Sequence, residues 1–252
     1  EFTMNLYEAH KKLDKINTLI AKGEFKAARD NLWLTWESIY KFANIGRKKK
    51  TSHITLLLKV SAHLIDAGHL CHDIKLVEAG VDILERHQED FLAEIDHGIF
   101  YYNLANGHDS LLVQPSQFEC SFENIEKLVS IKNHYWKALK SQQPSKTPPE
   151  YMVNLANSLK RQHRVAEAIS YYKEVNKKYS HIPQAHVNYG EALLQLNRIS
   201  NTGSDEMLRQ IVRSYETASK HPNTPIQWKD YYRALLSLST SKLSHQETSA
   251  IS

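Results

Sequence analysis

An all-α fold of antiparallel helix hairpins stacked into a solenoid is predicted for this chain, on three observations. Apolar residues recur at helical spacing along most of its length, as in Leu6, Leu13, Ile16, Leu19 and Ile20. Glycine and proline are scarce, at 8 and 7 in 252 residues, which disfavours a turn-rich β fold. The stretch after Pro149 also returns 34 residues later after Pro183: Val153-Asn154-Leu155-Ala156-Asn157 is echoed by Val187-Asn188-Tyr189-Gly190-Glu191, with Leu159 and Leu193 in the same phase.

Taken in order, the first helix is predicted from Met4 to Ala21, followed by a turn at Lys22-Gly23-Glu24. The second runs from Phe25 through Ala28, Leu32, Trp36, Ile39 and Tyr40 to Ala43, its small alanines allowing close antiparallel packing. Arg47-Lys48-Lys49-Lys50 reads as a solvated basic loop, with Thr51 or Ser52 as the next N-cap. A third helix spans Ser52 to Ala67 and stops at Gly68; a fourth covers Asp73 to Gln88. A fifth begins before Ile95 and carries Phe100 to Asn106. Its partner follows a loop at 113–121 and runs through Ile125, Leu128, Ile131, Tyr135 and Ala138.

The stretch from Gln142 to Pro148 is a Pro/Ser/Thr linker. Behind it, Pro149, Pro183 and Pro225 sit at first-turn positions, where a missing N–H costs nothing. The second helices show one stripe at i, i+4, i+7: Ile131/Tyr135/Ala138, Ala168/Tyr172/Val175 and Ile211/Tyr215/Ala218. Ser200 to Asp205 is an insertion, with Ser204 or Asp205 capping the next helix, and Trp228 to Leu238 is one more first helix. The pattern makes about eleven helices. It divides the chain into a cloning remnant at 1–3, divergent hairpins at 4–97, clearer repeats at 98–240 and a polar tail at 241–252.

Composition narrows the function classes. Lys+Arg 32 against Asp+Glu 28 leaves a net +4, mild for a nucleic-acid binder. Two cysteines, Cys71 and Cys120, make no disulfide framework and point to a reducing, cytoplasmic setting. No apolar run reads as a membrane span, and no signal-peptide pattern opens the sequence. Phosphate-loop, Gly-x-Ser-x-Gly and zinc-protease motifs are all missing from the sequence, so an enzyme is not expected, and no cofactor is.

Residues Gly98 to Leu238, and more faintly Met4 to Ala43, resemble the tetratricopeptide repeat family. Trp228 matches its first slot; Leu104, Leu155, Tyr189 and Tyr231 match the Leu slot; Gly190, Ala105 and Ala156 match the Gly slot. Ala168, Tyr172 and Ala138 match later slots, while Val175 and Tyr232 depart from the pattern. The resemblance implies a right-handed superhelix whose first helices line a concave groove for a peptide or protein segment. It places Asn103, Asn154 and Asn188 at the sixth place of their helices and Asn106 and Asn157 at the ninth, where Glu191 departs. Lys160, Lys229 and Arg233 fall on related groove positions. An amide both donates and accepts, so these asparagines suit a peptide main chain; the other reading is that they brace neighbouring helices.

His63, His69, Cys71, His72 and Asp73 cluster at one turn and carry metal-capable groups, but their spacing fits no standard zinc motif, so no metal site is assigned. Arg47 and His53 fit a loose ribonuclease pattern, yet straddle a loop. In the pairs Tyr101/Tyr102, Tyr171/Tyr172 and Tyr231/Tyr232, one member should be core and the other partly exposed. The predicted function is a non-catalytic interaction module. A sensory region of a larger, nuclease-linked effector and an RNA-binding helical repeat are the alternatives.

Overall fold

The computed structural model describes residues 4–45, 49–112, 122–142, 146–200, 204–222 and 224–249, without the side chains of Gln227 and 243–249. Among these residues every regular element is helical. The order is α1 Leu6–Ala21, α2 Phe25–Ala43, α3 Thr51–Cys71, α4 Ile74–Arg86, α5 Gln88–Glu94, α6 His97–Leu112, α7 Phe122–Lys140, α8 Pro149–Arg161, α9 Val165–Lys178, α10 Pro183–Ser200, α11 Asp205–Lys220 and α12 Ile226–Ser249. Packing divides the chain into two units, Glu1–Lys146 and Thr147–Ser252.

In unit 1, consecutive helices pair as hairpins around α3, which packs on α1, α2, α4 and α6. The reason is composition: Leu56, Leu57, Val60, Leu64 and Ile65 are all buried, so α3 is apolar nearly all round. Over one 18-residue window its mean hydropathy is 1.3, enough by length and composition to cross a membrane, which corrects the expectation that no segment reaches that threshold. Here it is the core helix of the unit. Gly68 does not end it. A Cβ at Gly68 would lie 2.9 Å from the Asp73 carbonyl oxygen and the Val77 nitrogen, so this glycine lets α4 approach α3.

Three of the helix-to-helix turns share one geometry. In the first, Gly23 takes φ 77°, and the Glu24 N–H donates to the Leu19 carbonyl at 2.9 Å. In unit 2, His163 takes φ 61°, and Arg164 N–H donates to Leu159 at 3.0 Å. His72, φ 54°, ends α3 in the same left-handed region. Only the first of these turns carries the glycine that marks it in the sequence.

Other boundaries shift for identifiable reasons. The cap position before α3 is Lys50, while the Thr51 hydroxyl donates to Glu94 at 2.7 Å instead of capping. The predicted fourth helix breaks at His87 into α4 and the short α5, and the next helix starts at His97, after Ile95. Asp96 caps it, its Oδ1 accepting from Gly98 N–H at 2.7 Å. Pro149 and Pro183 open their helices, whereas Pro225 lies one residue before α12. Ser204 caps α11 through its Oγ, as expected. Helix α12 continues past Leu238 to Ser249, through much of the predicted polar tail.

Lys49 is no solvated loop charge. Its Nζ lies 2.8 Å from Asp90, with only 11% of the side chain exposed. Asp90 also faces His87 Nδ1, and Tyr40 meets the opposite ring nitrogen at 3.3 Å. The resulting cluster ties α2 to α4 and α5.

Candidate functional site

The second helices carry a repeated buried tyrosine, and the first helices determine what it meets. Tyr135 of α7 and Tyr172 of α9 are almost fully buried by the 3.6-residue stripe that also holds Ile131 and Ala168. A buried hydroxyl needs a partner. Tyr135 donates to Asn106 Oδ1 at 2.7 Å within unit 1, and Tyr172 donates to Asn157 Oδ1 at 2.5 Å within unit 2. These are the asparagines at the ninth place of each first helix.

In unit 2 the network continues. Asn188 Nδ2 donates to Asn157 Oδ1 at 3.1 Å, joining α10 to α8. Gln184 Nε2 donates to Asn188 Oδ1 at 2.7 Å, and the Tyr232 hydroxyl donates to Gln184 Oε1 at 2.6 Å, which brings in α12. Asn188 is 5% exposed, so its amide lies inside this brace. Asn154 is half-buried on α8, and in unit 1 Asn103 donates to its own helix at the Ile99 carbonyl. Asn106, Asn157 and Asn188 therefore brace neighbouring helices.

The third tyrosine is different. Tyr215 of α11 is fully buried, but its hydroxyl has no hydrogen-bond partner. The ninth place opposite it is Glu191. Instead of accepting from Tyr215, the Glu191 carboxylate holds Lys160 Nζ at 2.9 Å and the Tyr231 hydroxyl at 3.5 Å. A half-exposed polar chain thus runs Lys160–Glu191–Tyr231 across α8, α10 and α12. Burial, then the Glu191 charge, raises the pKa of Tyr172, Tyr215 and Tyr231 and pushes Tyr232 up to about 12. Four phenols therefore remain neutral around one carboxylate.

Of the other predicted positions, Arg233 pairs with Asp230 at 3.2 Å in the open, and Lys229 is half-buried. Tyr231, matched to the Leu slot, is 46% exposed, while Tyr232 beside it is buried and stacks on Trp228. Tyr171/Tyr172 divides into outer and inner members as expected, but Tyr101 and Tyr102 are both half-buried. The His/Cys cluster does not converge: no group of three metal-capable side chains forms among the described residues. His63 bonds the Lys59 carbonyl, and Cys71 donates to the Phe25 carbonyl at 3.1 Å. His53 packs edge-on against Phe42; Arg47 and Cys120 lie outside the described residues.

The tyrosine series makes a direct prediction. Tyr135→Phe and Tyr172→Phe are each expected to cost about 1 kcal/mol, because each removes a made hydrogen bond. Tyr215→Phe is expected to be neutral or slightly stabilising, since it removes a hydroxyl that is buried and unpaired. Urea titrations of the three variants against the parent check the contrast.

No family model matches the chain, and no curated protein matches it. Among solved structures, the crystal structure of the P58(IPK) TPR domain is similar to it, at 12% identity over 94% of this chain and 80% of that one, with a TM-score of 0.35. At that distance the likeness assigns no residue and no partner. The hairpins, the shared turn and the tyrosine–asparagine braces describe a tetratricopeptide-like helical repeat on their own geometry.

Proposed function

We propose that this chain is a non-catalytic interaction module and that the first helices of unit 2 receive a peptide or protein segment. One observation carries the reading: the polar chain Lys160–Glu191–Tyr231 crosses three successive first helices on a half-exposed face. An extended segment laid across α8, α10 and α12 meets alternating donors and acceptors there, with Asn154 on the same helix as Lys160 and Arg233 on that of Tyr231. Trp228 and Tyr231 are both at least 40% exposed and add aromatic surface, the residue type that concentrates binding energy at interfaces. The inner network Asn157–Asn188–Gln184–Tyr232 holds the three helices in register and leaves the outer side chains to make contact.

A peptide selected from a random displayed library on the full chain provides the test. Isothermal titration of that peptide is expected to show about a tenfold loss for Tyr231→Ala and for Asn154→Ala. Unaltered affinity in both variants would place binding elsewhere.

A further inference from the structure

Glu191 departs from the pairing that the α6–α7 and α8–α9 hairpins share. Where Asn106 and Asn157 accept a tyrosine hydroxyl, Glu191 turns away from Tyr215 and leaves it buried and unpaired. Proximity is not the obstacle. The Tyr215 ring packs so closely on Gly190 that a Cβ there would sit 2.8 Å from Cε1 and 3.2 Å from Cζ, one residue from Glu191. Of the three tyrosines on this repeated stripe, Tyr215 alone has an unpaired hydroxyl, which points to a second arrangement in which it is paired.

The present partner of Glu191 is held loosely enough to exchange. The Lys160 and Glu191 side chains are 20% and 34% exposed, and partly solvated ion pairs are weak. The surroundings favour an incoming anion: the chain's entire formal +4 falls within residues 147–252. Arg161 and Arg198 act on the phenols of Tyr172 and Tyr215, close to the same carboxylate.

We propose that Glu191 is an internal stand-in for a partner's carboxylate: it holds Lys160 in the free protein and, when an acidic segment takes Lys160, turns to accept the Tyr215 hydroxyl. No covalent bond or proton moves in this exchange. One ion pair is replaced by another, and a charge-assisted hydrogen bond is gained where the free protein has an empty hydroxyl. The consequence is selection. A neutral segment does not displace Glu191, and an acidic one gains Lys160 without leaving Glu191 unsatisfied. The inference rests on the groove reading of unit 2.

The test is calorimetric, with a blocked glutamate hexapeptide and its glutamine counterpart titrated into the full chain. Glu191→Asn places at this position the residue that accepts a tyrosine hydroxyl in the α6–α7 and α8–α9 hairpins, and it leaves Lys160 open. It is expected to bind the glutamate peptide about tenfold more tightly and the glutamine peptide no better. Tyr215→Phe touches no ligand, yet should weaken the glutamate peptide about fivefold while melting no lower than the parent. Parent-like affinity in Tyr215→Phe overturns the exchange, as does an unimproved Glu191→Asn. If both peptides bind the parent equally and ignore Glu191→Asn, the exchange is wrong and the groove reading stands. If neither peptide binds any form, the exchange falls, and the library-selected peptide decides the groove reading separately.

Discussion

Tyr172→Ala is expected to remove about 3–5 kcal/mol from the stability of unit 2, the range for truncating a large buried aromatic. Tyr172 has no exposed surface and sits between Ala168 and Val175 on the inner stripe of α9. Its loss opens a ring-sized cavity in a unit of only five helices, with little surrounding core to collapse into it. It also strips Asn157 of a donor, so the bond from Asn188 loses its geometric anchor. Because that network reaches α12 through Gln184 and Tyr232, the loss should spread beyond one hairpin. Urea unfolding followed by circular dichroism reads it as a lowered midpoint, and Tyr172→Phe, at about 1 kcal/mol, separates the cavity from the hydroxyl. Equal midpoints for Tyr172→Ala and Tyr172→Phe would mean that the ring contributes nothing as packing.

Gly80→Val is expected to cost unit 1 about 3 kcal/mol or more, near the upper end for overpacked sites. A Cβ at Gly80 would lie 2.8 Å from the Ser61 carbonyl oxygen and from Ile65 Cγ1, and 3.1 Å from Leu64 Cβ. The Ser61 oxygen is backbone on the central helix, so it cannot swing aside as a side-chain tip can. Relief requires α4 to separate from α3, and that contact is the core of the unit. Gly80→Ala should be milder, because alanine gains about 1 kcal/mol of helix propensity over glycine and partly offsets the clash. Thermal melts of both variants check the order; a Gly80→Val protein as stable as the parent would mean that the two helices are not held this closely.

Much of the fold was legible in the chain because helix periodicity is a local signal. Phe25 to Ala43, the helix start at Pro149 and the stripe Ile211/Tyr215/Ala218 follow from spacing and a first-turn proline alone. Gly23 announced its turn through its side chain, or lack of one. His72 and His163 occupy the same backbone region with no residue-type signal, because the packing of the two flanking helices imposes the turn. Gly68 misled for the opposite reason: a glycine near a helix end usually stops it, and here it serves a close approach from a helix that only the fold brings near.

The candidate site was legible as a set of positions but not as a set of roles. Asn157 and Asn188 look alike in sequence, and so do Tyr172 and Tyr215. Whether an amide faces a groove or a neighbouring hydroxyl depends on side-chain rotation at contacts between residues as far apart as Asn106 and Tyr135. Glu191 was visible as a departure from Asn, but the tie to Lys160 and the unpaired Tyr215 hydroxyl are visible only in three dimensions.

The sequence by itself determined an all-helical repeat, its hairpin phase and the tyrosine stripe, since each depends on residues within a few turns of one another. Tertiary structure alone decided which polar side chains brace the helices and which stay partly exposed. A hydrogen bond between helices depends on distances that no local pattern encodes.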